Sequence, residues 1–184
     1  MALLADLVDP ARMNRARAIG LVLSAAALAA VGLLASSAFA TSSSTRTLHS
    51  LNQQIFVDVN RFRVAHGLRA LRLSPALDRS ARSHSLEMGR LGYFAHDSAD
   101  GEAFWRRIER YYHYPSVGEN LLWAAPTVTA GQAMRLWIAS PPHLANLETA
   151  KWRDFGVSAV SVSLAGGVYD GQRVTIVTTD FGAK

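Results

Sequence analysis

The chain has 184 residues, no cysteine and a formal net charge of +5 at pH 7. This length favours one globular domain with its own hydrophobic core, and the absence of cysteine excludes disulfides, a thiolate nucleophile and cysteine-ligated metals. The basic residues are scattered without a nucleic-acid-binding motif, so we expect no nucleic-acid partner. We expect an anionic cell-surface polymer or lipid headgroup to be a weak partner of this basic surface.

The first 40 residues have the pattern of an export signal. Three arginines precede an apolar and small-residue run at residues 18–35, and residues 38–40, AFA, place small side chains where a signal peptidase cleaves. This predicts a signal peptide at residues 1–40 and a mature chain that begins at Thr41. The run is comparable with the ~17–20 residues that span a bilayer, so an uncleaved membrane anchor is the alternative. In both cases we expect the remaining chain to be exported, as a secreted or cell-envelope protein.

Residues 41–47 are polar and rich in serine and threonine, which predicts a linker before a globular domain at residues 48–184. Apolar residues at helical spacing then predict four helices. The second has Ser74 as its N-cap and Pro75 in its first position, and the fourth is expected to end before two prolines. The predicted helices cover residues 48–66, 75–91, 102–112 and 129–139.

The last part of the chain changes to alternating spacing. Residues 155–164 and 173–181 are rich in β-branched side chains and flank a turn-forming stretch, which predicts an antiparallel hairpin. Residues 115–126 predict a loop with a short extended stretch. Helices followed by strands indicate an α+β fold, in which the helices pack on a small antiparallel sheet.

Three polar side chains in predicted loops are candidates for a functional site. Glu119 lies in GENLLW, directly before an apolar stretch, where a carboxylate needs a partner. His96, in FAHDS, and His143, in SPPHLAN, lie beside predicted helices, where functional groups concentrate. No HExxH motif is present, so a joint site has to be made by the fold. The alternative is that Glu119 only holds the two histidine loops in place. His84, on an apolar helix face, is expected to be a core residue.

The ordered motifs FAHDSADG, GENLL, WIASPPHLANL and FGVSAV resemble the CAP superfamily. That superfamily takes in cysteine-rich secretory proteins, antigen 5 and pathogenesis-related proteins, and this chain is most similar to its cysteine-free bacterial branch, whose unit is the SCP domain. The resemblance covers nearly all of residues 50–181. It implies an α-β-α sandwich with a cleft, lined by two histidines and acidic residues, that can hold a divalent cation.

Carried over residue by residue, the resemblance implies metal ligands at His96, Glu119 and His143, with Zn²⁺ as the expected cation. Animal members often have a second glutamate three residues after a tryptophan, where this chain has a serine. The resemblance therefore implies weak zinc binding. The expected ligand-binding residues are Ser140, Trp137 and Asn120.

Three classes of function remain open from the sequence. The resemblance favours an exported binding module for a lipid or cell-envelope component. The second class is a metal-dependent hydrolase, a peptidase or esterase that uses the same cleft. A serine mechanism through Ser140 and His143 is less favoured because no GxSxG motif is present, and no catalytic residue is assigned. The third class is a structural envelope protein. We expect a monomer.

Overall fold

A computed structural model describes residues 2–3 and 43–183 of the chain. The predicted export segment at residues 1–40 lies almost wholly outside this described part, so its cleavage stays a prediction, as does the start of the domain at residue 48. None of the helices within the described residues is long and apolar enough to cross a membrane.

The described part contains five α-helices and six β-strands. In chain order these are β1 (Ala2–Leu3), β2 (Thr45–Thr47), α1 (His49–Ala65), β3 (Arg72–Leu73), α2 (Pro75–Leu91), α3 (Phe104–Glu109), β4 (Ser116–Ala124), α4 (Ala130–Ala139), α5 (Pro141–Glu148), β5 (Asp154–Ala165) and β6 (Gln172–Ala183).

The strands form one sheet in the order β1-β4-β6-β5-β2, with antiparallel neighbours throughout this path. The short strand β3 pairs with β5 in the parallel direction. The long antiparallel pair β5 and β6 is the hairpin that the sequence predicted, and this prediction is confirmed. Strand β4 pairs with β6 from Ser116 opposite Ala183 to Ala124 opposite Thr175.

Helices cover both faces of this sheet, which confirms the predicted α+β class. On one face α1, α4 and α5 pack on a core that includes Ile55, Trp137 and Phe155. On the other face α2 and α3 cover smaller clusters, to which Met88 and Ile108 belong. Side chains alternate between faces along a strand, so neighbouring residues of β4 contribute to different layers.

Helix α2 begins and ends as its sequence predicts. The Ser74 side chain accepts a hydrogen bond from the backbone N–H of Leu77, and Gly92 ends the helix with φ +72°. Just inside the helix, Asp78 Oδ1 accepts a hydrogen bond of 2.8 Å from the backbone N–H of Val157. This bond fixes the start of α2 against β5. The loop that leaves α2 at Gly92 runs to α3 and contains His96.

Three predictions are wrong in part. Most of the predicted loop at residues 115–126 is strand β4, whose residues from Gly118 onward are all buried. A strand buried on both faces lacks polar–apolar alternation, which is why the pattern missed it. The two prolines do end α4, but they also occupy the first positions of a further helix, α5, where proline is tolerated. The third helix is shorter than predicted, at Phe104–Glu109.

Candidate functional site

Glu119 lies in the middle of β4 with a side chain that is fully buried. One carboxylate oxygen, Oε1, accepts a hydrogen bond of 2.8 Å from Nδ1 of His96. The other, Oε2, accepts from Nη2 of Arg107 on α3. The partner that this carboxylate requires is therefore an arginine as well as one of the two predicted histidines.

Arg107 also fixes the loop that contains His96. Its Nη1 donates to the backbone carbonyl of His96 at 2.8 Å and to Oγ of Ser98 at 3.3 Å. In the same loop, Asp97 Oδ1 accepts from the backbone N–H of Phe104, the first residue of α3. One guanidinium thus holds both the loop backbone and the carboxylate that the loop histidine contacts.

These contacts keep Glu119 ionised. Burial acts to raise the pKa of the carboxyl, but the charges of His84 and Arg107 and the hydrogen bond from His96 outweigh it and lower the pKa. Burial lowers the pKa of His84 and so favours its neutral form, which leaves Arg107 as the main cation beside Glu119.

A second buried carboxyl group, Asp180, lies directly opposite Glu119 on β6. Neither of its oxygens makes a hydrogen bond of good geometry among the described residues, although Ser80 and Glu119 lie close enough to affect its pKa. Burial, and then the neighbouring charge of Glu119, raises the pKa of Asp180 well above its ordinary value.

Neither Asp180 nor Arg107 was among the candidates from the sequence. An acid within the apolar strand pattern of TIVTTDF was a usable signal for the first. Arg107 is one of several arginines around α3 and gave no signal of its own.

His84 is a core residue, as predicted. Its side chain is fully buried on α2, and its Nε2 lies 2.9 Å from the carbonyl oxygen of Ala95. Its Nδ1 lies 3.5 Å from a carboxylate oxygen of Glu87. The ring therefore contacts the backbone of the loop directly before His96.

His143 is only 2% exposed and lies in α5, in place of the loop that the sequence predicted. Its Nδ1 is 2.7 Å from Oγ of Ser140, and its backbone carbonyl accepts a hydrogen bond of 3.1 Å from Nδ2 of Asn120. Asn146 Nδ2 donates to the carbonyl of Glu119 and to Oδ1 of Asn120. Both histidine segments are thus attached to neighbouring residues of β4 but on different faces of the sheet. The His96 segment contacts the Glu119 side chain on the face of α2 and α3, and the His143 segment contacts Asn120 on the face of α5.

The aromatic side chains, among them the predicted ligand-binding residue Trp137, divide between core and surface. Trp137 is fully buried, and its Nε1 donates to the carbonyl of Leu121 at 3.2 Å. Trp123 and Tyr112 are also buried, whereas Trp105 and Tyr114 are 42% and 38% exposed. Trp137 therefore supports β4 from the core.

Two imidazoles and one carboxylate are suitable donor types for zinc. Within residues 43–183, however, no group of three or more His, Asp or Glu side chains is arranged to hold a metal ion. Both oxygens of Glu119 already accept hydrogen bonds, one of them from a cation. The types of donor atom therefore fit a zinc site, but the arrangement of these side chains does not.

Residues 57–177 match the family model described as CAP, cysteine-rich secretory protein family. No curated protein matches the chain. Among solved structures, an extracellular protein containing a SCP domain from Bacillus anthracis is similar, with 29% identity and a TM-score of 0.59. The similarity covers 74% of this chain and 41% of that one.

Two further structures resemble the fold. An outer surface protein from Borrelia burgdorferi has 15% identity and a TM-score of 0.64, covering 77% of this chain and all of the other. A cysteine-rich secretory protein from Staphylococcus aureus has 16% identity and a TM-score of 0.52, covering 74% of this chain and 39% of the other. This chain thus spans less than half the length of the B. anthracis and S. aureus proteins.

Proposed function

The chain belongs to the CAP, or cysteine-rich secretory protein, family, and from this premise we propose that it is an exported binding module of the cell envelope. Its ligand cleft is formed by the segments around His96, Glu119 and His143. The similar solved structures are described as extracellular, outer surface or secretory proteins, which supports an extracellular or envelope location.

The observation that carries this proposal is the buried, ionised Glu119 between two attached histidine segments. Burying a carboxylate and a guanidinium removes both from water, and replacing such a pair by apolar residues is often neutral or stabilising. Stability alone therefore does not explain why Arg107 and Glu119 are buried. The burial of Arg107 and Glu119 is explained if the pair orients His96. In the neutral ring Nδ1 donates its hydrogen to Glu119, so Nε2 carries the lone pair.

The proposed ligand is a lipid or another component of the cell envelope. A polar ligand group would be recognised by oriented imidazoles and by the Ser140 hydroxyl, without a metal. Asn120 fixes the backbone of α5 next to this group.

Ligand retention tests this proposal. The full chain is incubated with lipids extracted from the envelope of the producing cells, re-isolated, and examined by native mass spectrometry. We expect a bound lipid on the wild type, and at least about tenfold less on His96→Gln and His143→Gln, since each variant loses one hydrogen-bonding ring. His66→Gln, which changes an exposed histidine at the end of α1, is the matched control. Equal retention by all four proteins, each folded by circular dichroism, would refute the cleft.

Zinc binding in this cleft would need a further carboxylate. Ser140→Glu adds one beside His143, at the position where animal relatives often have glutamate. We expect calorimetry to show tighter zinc binding by this variant than by the wild type, and no gain for Ser83→Glu, which changes an exposed serine on α2. Equal affinities of the wild type and Ser140→Glu would place zinc elsewhere.

A serine hydrolase is the second candidate, and one contact favours it. Ser140 Oγ and His143 Nδ1 are 2.7 Å apart, the separation of a nucleophile and its general base. A fluorophosphonate probe that labels Ser140 in the wild type, and labels neither Ser140→Ala nor His143→Gln, would support hydrolysis. Absence of labelling in the wild type would contradict the serine hydrolase and leave the binding module as the proposed function.

A further inference from the structure

A groove of about 690 Å³ lies between α2 and α3, on the same sheet face as Glu119. Its lining includes five arginines and two acidic residues, Glu87 and Asp100. We call it the arginine groove and define it by Arg79, Arg82, Arg90, Arg107 and Arg110. This volume lies within the range of small-ligand sites.

The arginines on α2 form one exposed row. Arg82 follows Arg79 by three residues and Arg90 follows Arg82 by eight, which places all three on one side of the helix. All three are exposed, and none of them takes part in an ion pair within residues 43–183. Three guanidinium groups beside the groove are therefore not in direct contact with a carboxylate of the described residues.

The acidic residues near the groove already have partners. Glu87 accepts from the Tyr93 hydroxyl at 2.8 Å and from the backbone N–H of Ala99. Asp100 accepts from the backbone N–H of Glu102, whose own carboxylate pairs with Arg110. These donors are neutral, so Glu87 and Asp100 keep their negative charges. Because Arg107 and Arg110 pair with Glu119 and Glu102, the three arginines on α2 outnumber these two carboxylates and leave the groove with a small net positive charge.

The lining of the groove also includes a buried cation, Arg107. Arg107 lines the groove and is 2% exposed, and its Nε is a buried donor without a hydrogen-bond partner among the described residues. Its ion pair with Glu119 compensates one charge. A groove whose lining combines a buried guanidinium with three exposed ones that form no ion pair within residues 43–183 has a feature of a concave anion site rather than of a flat solvated face.

The arginines determine the chemistry and length of the anion. Guanidinium groups bind phosphate oxygens in a bidentate manner. Arg79 and Arg90 are eleven residues apart on α2, which separates them by about 16 Å along the helix axis. A single phosphate cannot reach both ends, so the fitting ligand has several phosphate groups in an extended chain.

We propose that the arginine groove binds a linear polyphosphate or polyol-phosphate chain. The groove shares Arg107 with the proposed His96–Glu119–His143 cleft, but the three arginines on α2 lie outside that cleft, and the proposal does not depend on the ligand proposed there. The concave shape favours a chain that enters the groove over a flat bilayer surface.

Calorimetric titration of the full chain with short-chain inorganic polyphosphate tests this site. The groove variant is Arg79→Gln, Arg82→Gln and Arg90→Gln combined, because glutamine keeps a similar helix propensity. The control variant removes the same charge from exposed arginines outside the groove, by Arg69→Gln, Arg135→Gln and Arg173→Gln. We expect at least about tenfold weaker binding by the groove variant and less than about threefold by the control. Higher salt is expected to weaken the wild-type interaction.

Four results would overturn the proposal. Equal losses in the two variants would mean that only net charge attracts the chain. Orthophosphate that binds as tightly as polyphosphate, at equal phosphate concentration, would mean a site for a single anion. Vesicles of phosphatidylglycerol bound through the α2 arginines, with no binding of polyphosphate, would make the row a membrane contact. Absence of any binding would remove the site altogether.

Discussion

Arg107 links Glu119 to the His96 loop, two parts of the proposed cleft. It donates to Glu119, to the carbonyl of His96 and to Ser98, so one side chain determines the positions of a carboxylate and a loop. The sequence could indicate Glu119 and His96, because a buried acid and a loop histidine are unusual residues in their settings. It could not indicate Arg107, because a buried arginine and an exposed one look the same in a row of basic residues.

Loss of this guanidinium should destabilise the domain. In Arg107→Leu, Glu119 stays buried and keeps the hydrogen bond from His96, but it loses its cationic partner. Breaking a buried ion pair in this way costs about 3–5 kcal/mol of stability. The free energy of unfolding in urea measures the effect. Arg106→Leu, an exposed neighbour on α3, is the control and should change stability by less than about 1 kcal/mol.

The effect of Arg107→Leu should depend on pH. The pKa of Glu119 is lowered in the folded state, so the stability from its ionised form is fully present above its ordinary value of 4.5. That stability is lost as the pH falls through the folded pKa. The difference between wild type and variant should therefore be largest near neutral pH and shrink under acidic conditions. A pH-independent difference would show that packing, not charge, is what Arg107 supplies.

Asp180 should show the opposite dependence. Its pKa is raised in the folded state, by burial first and by Glu119 second. The folded state therefore loses stability relative to the unfolded state as the pH rises above the ordinary value of 3.8. Asp180→Asn cannot ionise and should be more stable than the wild type at neutral pH by about 1 kcal/mol or more. The gain should vanish towards the ordinary pKa. Unfolding curves at neutral and acidic pH measure it, with Glu148→Gln as an exposed control. A destabilised Asp180→Asn at neutral pH would mean that the charge itself is required.

At the scale of elements, α2 and β5 are closer than a side chain at position 156 would permit. A Cβ atom added to Gly156 would lie 2.2 Å from the backbone carbon of Leu77 and 2.4 Å from the backbone nitrogen of Asp78. The same approach permits the hydrogen bond from Val157 to Asp78. Only glycine fits at this contact, which places the start of α2 directly on the sheet.

Gly156→Ala should therefore separate α2 from β5 and destabilise the domain by about 1–3 kcal/mol or more. Gly131→Ala is the matched control, because a Cβ there meets only Arg135 Nη1 at 3.6 Å, in ordinary contact. Alanine in helix α4 should stabilise by about 0.5–1 kcal/mol. Thermal unfolding of both variants measures the two effects. A Gly156→Ala protein as stable as the wild type would mean that α2 can shift without loss.

The elements differ in how well the sequence predicts them. Helices α1, α2 and α4 and the hairpin of β5 and β6 follow from periodicity, caps and β-branched composition, which are local features of the sequence. Strand β4 is buried on both faces and α5 begins with two prolines, so local pattern rules favoured a loop for each. Both elements contain residues of the proposed cleft, Glu119 on β4 and His143 on α5. The parts of the chain that a local pattern could not predict are the ones that tertiary contacts create.

For the whole molecule, helices followed by strands predicted the α+β class, and ordered motifs within residues 50–181 predicted the family, which the family-model match at residues 57–177 confirms. It also predicted a mature chain from Thr41, and that stays a prediction, since the segment lies outside the described residues. What a one-dimensional pattern cannot supply is the contact between distant residues, such as Glu119 with Asp180 or the arginine groove between α2 and α3.

The His96–Glu119–His143 cleft is the place where we propose that the envelope ligand binds. Imidazole NMR resonances of the full chain, recorded while envelope lipid extract is added, test this most directly. We predict that the His96 and His143 resonances shift together, while those of the exposed His66 and His113 remain in place. Shifts confined to His66 or His113, or no shift at a concentration where native mass spectrometry detects bound lipid, would contradict the proposal.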